Sequence, residues 1–359
     1  LEKEKGSHLP PNIINLESMV DFKLPYYEKL TVKVPSFFAM IDRLGKEMPD
    51  EIFISTPSVV GLYGLFFAKL FGIKCTTVYH TDFTMQAKNL MANTSPLLQL
   101  IEIYTKWFYE SSDRILVPTE EYISILSKRG FDRDKMGIFY RGIDTELFRP
   151  RENATAELRA QYGLEGGVNL LYAGRISEDK NVDFLIKSVS PLFADGTGNL
   201  NLIFVGDGPY LETLKKRHAG NRNIIFLGEI PNHMLPTVYS GCDLLVFPSE
   251  TDTFGMVVLE AQACGLPVIV SHIGGPRDIL LDGTTGYVLN TENTATWTEK
   301  LKELLPLITA GDRRYTGMRE QSRQHVINRY DFNAILDNFI VNDDREEETD
   351  SQAKLRIVS

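Results

Sequence analysis

The sequence predicts an α/β protein built as two successive doubly wound units, each a parallel sheet flanked by helices. Three observations carry this. The chain has 359 residues, about two domains at the usual ~150 residues each. Short β-branched or aromatic runs recur at 51–55, 75–80, 114–118 and 137–140, and again at 168–174, 201–208, 223–228, 243–249 and 267–271. The intervals between them are helix-length, and the runs are apolar without clean alternation, as strands covered on both faces are.

The first four runs, EIFIS, CTTVYH, RILVP and GIFY, form one unit, and the five from VNLLYAG to PVIVS form the second. Between them, FRPRENATAELRAQYGLEGG at 148–167 is polar and ends in Gly-Gly, as a linker with a short helix would be. The domain boundary is therefore placed near Arg149, giving residues 1–149 and 150–325. A helix over 326–341 follows, with Val326, Ile327, Tyr330, Ile335, Leu336 and Phe339 as its apolar positions. It either crosses back to the first domain or packs on the second. Residues 342–359 carry six acids against three bases and are expected to be disordered.

Charge limits the partners. Lys plus Arg number 38 against 48 Asp plus Glu, a net of −10, which does not suit a protein whose affinity comes from phosphate backbones. Nucleic acid is excluded as a partner. The longest apolar run, 59–68, ends at Lys69 and is shorter than the ~20 residues of a spanning helix. Cys75, Cys242 and Cys264 lack the spacing of a disulfide framework or zinc site. A reducing cytoplasm is the default compartment. The opening LEKEKGSHLPPN has neither an initiating Met nor an apolar signal core, and reads as an interior start.

Ligands of open parallel sheets lie beyond the carboxyl ends of the strands, so the residues there are the candidates. After VNLLYA come Gly174, Arg175 and Lys180, ahead of an amphipathic run through Val182, Leu185 and Ile186. A glycine lets backbone approach a ligand, and two cations beside a helix start suit a multiply charged anion. Taken singly, each cation is more often a solvated surface group.

After DLLVFPS come Asp252, Thr253 and a helical stretch over 254–264, stopped by Gly265 and Pro267. Thr253 or Asp252 can cap it, leaving the amides of Phe254, Gly255, Met256 and Val257 for ligand oxygens. Asp252 and Glu260 are offset by about 9 to 12 Å along such a helix, which suits two ends of one extended ligand. The alternative is that Asp252 only caps and Glu260 only lines an exposed face. His80, closing CTTVYH, can donate to a hydroxyl or phosphate oxygen, and Asp82 can hold a hydroxyl or cap the next helix. Gly206, Asp207 and Gly208 lack a third glycine at dinucleotide spacing and read as a tight turn. YRGIDTELFRP reads as an inter-domain turn.

In this order, YHTDF, YRGIDTELFRP, AGRISEDKN, FVGDGP, the 243–269 block and GGPRDILLDGTTGYVL resemble the retaining glycosyltransferases of family 4, over roughly 50–290. HTDF with RGID is most similar to the glycolipid-forming branch, the sulfolipid synthases and phosphatidylinositol mannosyltransferases. The resemblance implies a GT-B fold of two Rossmann-like domains facing across a cleft. It implies transfer of a hexose from a UDP- or GDP-sugar to a lipid or glycan hydroxyl, without a metal, at a cytoplasmic location with peripheral attachment to the inner membrane face as an option. Arg175 and Lys180 would bind the diphosphate, Glu260 the ribose, and Asp252 with the 254–257 amides the donor sugar and phosphate. His80 and Asp82 would stand on the acceptor side, His80 near the reacting carbon.

Two departures from the family pattern stand out. Its acidic pair is usually Glu and Glu, and here Asp252 is one methylene shorter, with Glu250 out of register. The family also opens with a strand, a glycine loop, a helix and a strand before the position of Asp50. Here 49 Pro-rich, poorly periodic residues stand in that place, so the first domain is expected to be truncated at its start. A non-catalytic fragment that binds nucleotide or another protein is the competing expectation.

Overall fold

The structure is a computed structural model that describes residues 18–24, 27–90, 96–139, 141–164, 166–193 and 200–335. The proposed tail at 342–359, and Leu336 and Phe339, lie outside these residues. Contacts divide the chain into two compact units, Leu1–Val117 with Ile123–Phe139, and Pro118–Tyr122 with Tyr140–Asp343.

The first unit opens with β1 (Ser18–Leu24) and β2 (Tyr27–Pro35), paired antiparallel. An amphipathic helix, Phe37–Glu47, follows; the Ser36 hydroxyl caps it by accepting from the Ala39 amide. The poorly periodic opening thus holds two strands and a helix, a correction to the sequence reading. Then come β3 (Glu51–Ile54), β4 (Lys74–Val78), β5 (Arg114–Val117) and β6 (Met136–Ile138), one parallel sheet in sequential order. Each crossover contains helix, as parallel neighbours require. Cys75, Ile115 and Val117 of this sheet, with Phe67, Phe108 and Tyr109 from its helices, have no solvent exposure. Burial first, with Asp113 adding to it, pushes the Cys75 thiol up to about 12, so it is an inert core group rather than a nucleophile.

The second unit contains β7 (Val168–Ala173), β8 (Leu200–Val205), β9 (Ile224–Gly228), β10 (Leu244–Phe247), β11 (Val268–Ser271) and β12 (Gly286–Leu289). All pairs are parallel, in the order β12-β11-β10-β7-β8-β9. Every residue of β7, β8, β10 and β11 is buried, which is why these strands read as unbroken apolar runs. Tyr172 stacks between Phe247 and Phe204, at ring separations of 5.8 and 5.4 Å, and Phe204 meets Phe226 at 5.2 Å. Such a ladder adds about 0.5 to 1.5 kcal/mol per pair beyond area burial. It fixes β10, β7, β8 and β9 against one another.

The strand order has one consequence for function. The chain runs outward from β7 through β8 and β9, then returns to place β10 on the other side of β7. The carboxyl ends of β7 and β10 therefore flank a topological switch point, where doubly wound sheets leave a crevice.

Two boundaries differ from the sequence reading, while the linker holds the short helix expected of it. Residues 141–148 belong with the second unit, since Ile143 bridges to Asp331 and Arg323 donates to the carbonyls of Thr145 and Phe148. The linker helix is Ala154–Tyr162, ended by Gly163 in the left-handed region. No separate helix begins at 326: Val326 and Tyr330 lie within Arg313–Tyr330. That helix ends at Asp331, whose carboxylate accepts the Thr145 hydroxyl at 2.6 Å and the Asn333 amide at 3.1 Å. Apolar spacing continues through such a break, so periodicity alone does not reveal it.

Candidate functional site

β7 delivers the first half of the site. Its last buried residue, Ala173, is followed by Gly174 at φ +138°, where a side chain would be strained. The turn after β8 packs directly on it: the Gly174 amide donates to Val205, and the Ile176 amide to Asp207. Gly206, Asp207 and Gly208 thus form the tight strand-to-helix turn expected of them. Arg175 then projects half-exposed, and its Nη2 donates to Asp179 Oδ2 at 3.1 Å. Lys180 ends a short 3₁₀ turn, Glu178–Lys180, just before the helix Val182–Val189.

Lys180 is 8% exposed, and an ammonium so buried needs partners. It finds them after β10: Nζ donates to Asp252 Oδ2 at 2.7 Å and to Thr251 Oγ1 at 3.0 Å. Thr251 in turn donates to the Asp179 carboxylate at 3.2 Å. Asn181 adds a bond from its amide to the Pro248 carbonyl. The two cations and the first acid are therefore one hydrogen-bonded cluster at the switch point. Burial alone would raise the Asp179 carboxyl, but the Ser177 hydroxyl, Arg175, Lys180 and Thr251 together hold it below the usual carboxylate range.

The helix after β10 is Met256–Ala263, and its N-cap is Gly255 at φ +97° with no side-chain cap. This corrects the expected cap by Thr253 or Asp252: Asp252 is engaged by Lys180 instead, and Phe254 lies in the approach to the helix. The Phe254 side chain is 2% exposed and meets Tyr330 at 6.4 Å. The amides of Met256 and Val257 open the helix and have no intrahelical acceptor. A third loop, after β11, braces this turn: the Gly275 amide donates to Asp252 O at 2.9 Å, and a Cβ on Gly275 would stand 2.0 Å from the Thr253 carbonyl. Glu250 is occupied elsewhere, accepting from the Thr291 hydroxyl.

Glu260 lies one turn into the helix and is partly buried. Its Oε2 accepts the Tyr239 hydroxyl at 2.6 Å. Burial raises its carboxyl, and the Tyr239 bond offsets only part of that.

In the first unit, His80 follows β4 and is partly buried. Asp82 is 3% exposed; its Oδ1 accepts the Met85 amide at 2.9 Å, and its Oδ2 is 2.8 Å from Arg129. That is the helix-capping alternative, strengthened by an ion pair. Asp179, Thr251, Tyr239 and Gly275 were not singled out from the sequence. The first two directly precede Lys180 and Asp252, and that adjacency is their one sequence signal. Among the described residues, no group of three or more His, Cys, Asp or Glu side chains is arranged to hold a metal.

Fold and site together define a two-unit α/β protein with two carboxylate-paired cations clustered at a switch point of its second sheet. Residues 155–323 match the family model for glycosyl transferases group 1, and residues 3–147 that for glycosyltransferase family 4. The chain belongs to these glycosyltransferases. It is 29% identical to sulfoquinovosyl transferase SQD2 of Arabidopsis thaliana, over 79% of this chain and 55% of that one. A GDP-mannose-dependent alpha-mannosyltransferase of Corynebacterium glutamicum is 28% identical over 85% of this chain and 68% of its own length. For a D-inositol 3-phosphate glycosyltransferase of Nocardia farcinica the values are 32%, 63% and 53%. The chain thus spans little more than half the length of two of these three relatives.

Among solved structures, Anabaena HepE in complex with UDP superposes with a TM-score of 0.71 at 16% identity, covering 85% of this chain and 81% of that one. Sucrose-phosphate synthase of Thermosynechococcus elongatus gives 0.73 at 20% identity, covering 88% and 78%. The fold is GT-B, as expected, with two Rossmann-like units.

Proposed function

We propose that the protein transfers a hexose from a UDP- or GDP-sugar to a lipid or glycan hydroxyl, with retention of anomeric configuration. The observation that carries this reading is the Arg175–Asp179–Thr251–Lys180–Asp252 cluster at the switch point. A diphosphate that displaces the internal carboxylates gains two positioned cations. As the sugar C1–O bond breaks, charge grows on the departing diphosphate, and Arg175 and Lys180 stabilise it there. The acceptor oxygen bonds C1 on the same face, and its proton leaves on the released phosphate. Asp252, released from Lys180, turns to sugar hydroxyls together with the Gly255, Met256 and Val257 amides. Gly174 lets the backbone approach the phosphate, Glu260 holds the ribose, and His80 serves the acceptor side, with Asp82 kept as the cap of the following helix. No metal is needed for this charge pattern.

The relatives' activities, with GDP-mannose as donor in one, support a nucleotide-sugar donor. A lipid acceptor is favoured by the first unit, where Phe66, Leu70, Leu100, Ile103 and Trp107 are exposed on the helices Val59–Phe71 and Pro96–Glu110. Exposed apolar faces of this kind mark contact with lipid or another apolar partner. No helix among the described residues is long and apolar enough to cross a membrane; the attachment proposed here is peripheral, at the cytoplasmic face.

The test is release of UDP or GDP from a panel of nucleotide sugars, with lipid acceptors in vesicles or soluble glycans, with and without EDTA. Acceptor-dependent release that EDTA leaves unchanged is expected. Tight nucleotide binding without transfer to any acceptor would support the non-catalytic reading instead.

A further inference from the structure

Tyr239 sits on Leu235–Gly241, a helix that none of the candidate ligand contacts occupies. It is 1% exposed, packed 6.3 Å from the Phe148 ring, and gives its only hydroxyl proton to Glu260 Oε2 at 2.6 Å. Among the described residues, Glu260 Oε1 has no hydrogen-bond partner. One oxygen of the carboxylate is thus pinned from the core side while the other is left for a ligand.

We propose that Tyr239 is a positioning residue: it fixes the rotamer of Glu260 and keeps its carboxylate ionised, so that the free oxygen is presented to the vicinal hydroxyls of a nucleotide ribose. This rests on the reading of Glu260 as the ribose contact. The physical case is directional. A carboxylate in a partly buried place has its charged form disfavoured, and a phenol donating to it favours that form and restricts its rotation. The phenol itself stays protonated, since burial and the neighbouring Glu260 hold its ionisation well above the usual range. A core tyrosine could satisfy its hydroxyl on a backbone carbonyl at no electrostatic cost. Pairing it with an acid that burial opposes makes sense if that acid must be held ready as an acceptor.

Other titratable groups lie on the elements around Glu260. Cys264, at the end of the same helix, is itself raised to about 12 by burial. Cys242 follows the Tyr239 helix and is buried, with Arg319 donating to its carbonyl. Arg323, from the helix Arg313–Tyr330, donates to the Ala263 carbonyl. Among these five residues, Tyr239 is the one hydrogen-bonded to the Glu260 carboxylate.

The test uses Tyr239→Phe, which keeps the ring and removes one oxygen, and compares UDP and GDP with their 2′,3′-dideoxy forms. Loss of a bond to a charged group predicts about tenfold weaker binding of the ribose forms and a change within about twofold for the dideoxy forms. Removing the donor raises the Glu260 carboxyl further. The acid limb of the affinity profile, where binding is lost as Glu260 protonates, therefore moves to higher pH. Carbon-13 titration of the Glu260 carboxyl in the ligand-free protein should move the same way.

Equal losses for ribose and dideoxy ligands, or an unmoved Glu260 titration, would overturn the positioning role and leave the proposed function standing. If the unaltered protein binds neither UDP nor GDP, the functional reading fails, and this inference with it. A Tyr239→Phe protein with an unchanged thermal midpoint excludes a folding defect as the cause.

Discussion

Lys180→Ala should lower the transfer rate by about 100- to 1,000-fold, with Arg175→Ala somewhat less damaging. The magnitude follows from the ~2.7 to 4 kcal/mol that one preorganised charge-stabilising donor contributes to a transition state. Lys180 ranks first because it is 8% exposed, whereas the Arg175 side chain is 36% exposed and partly screened by water. The fold should survive both changes. The Asp252 side chain is 26% exposed and can take water when its ammonium partner is gone. Steady-state rates with saturating donor, beside a thermal melt of each variant, check this. Rates within threefold of the unaltered protein would remove Lys180 from the reaction.

Gly206→Ala should destabilise the second unit by about 4 kcal/mol, combining backbone strain with overpacking. Gly206 has φ +127°, and a Cβ there would stand 2.0 Å from the Gly174 carbonyl oxygen. Neither side can yield cheaply. The Gly206 amide is bonded to Gly228, and the Gly174 amide to Val205, so relief would separate β7, β8 and β9 at their carboxyl ends. The same displacement carries Arg175 away from Asp179. Gly220→Ala is the control, since a Cβ there meets nothing within 4 Å. Trp297, fully buried in the second unit, reports its unfolding in urea when Trp107 is replaced by Phe in all variants. A Gly206→Ala midpoint equal to that of the control would show that the turn has slack the structure does not contain.

The strands covered on both faces were legible because burial erases alternation and leaves continuous β-branched runs. β12 was not, being a four-residue edge strand, GYVL, with three partly exposed positions. β1 and β2 carry charges between their apolar residues and hid in a segment that lacked helical or buried-strand periodicity. At the site, Arg175, Lys180 and Asp252 were legible as residues that follow strands. Their partnership was not legible, because Lys180 and Asp252 are 72 positions apart and meet only through the return of β10 beside β7. The misread cap has a related cause. Asp and Thr are good caps in isolation, but Asp252 has a stronger claim from an ammonium that burial leaves in need of a counter-charge.

The central claim is that this switch-point cluster recognises a diphosphate. Calorimetric titration of UDP and GDP against uridine and guanosine, with the unaltered protein and Lys180→Ala, tests it most directly. At least one diphosphate should bind about 100-fold or more tighter than its nucleoside, as charge-assisted bonds from two cations require, and most of that margin should vanish in Lys180→Ala. Equal affinities for nucleotide and nucleoside, or a margin that Lys180→Ala leaves intact, would contradict it.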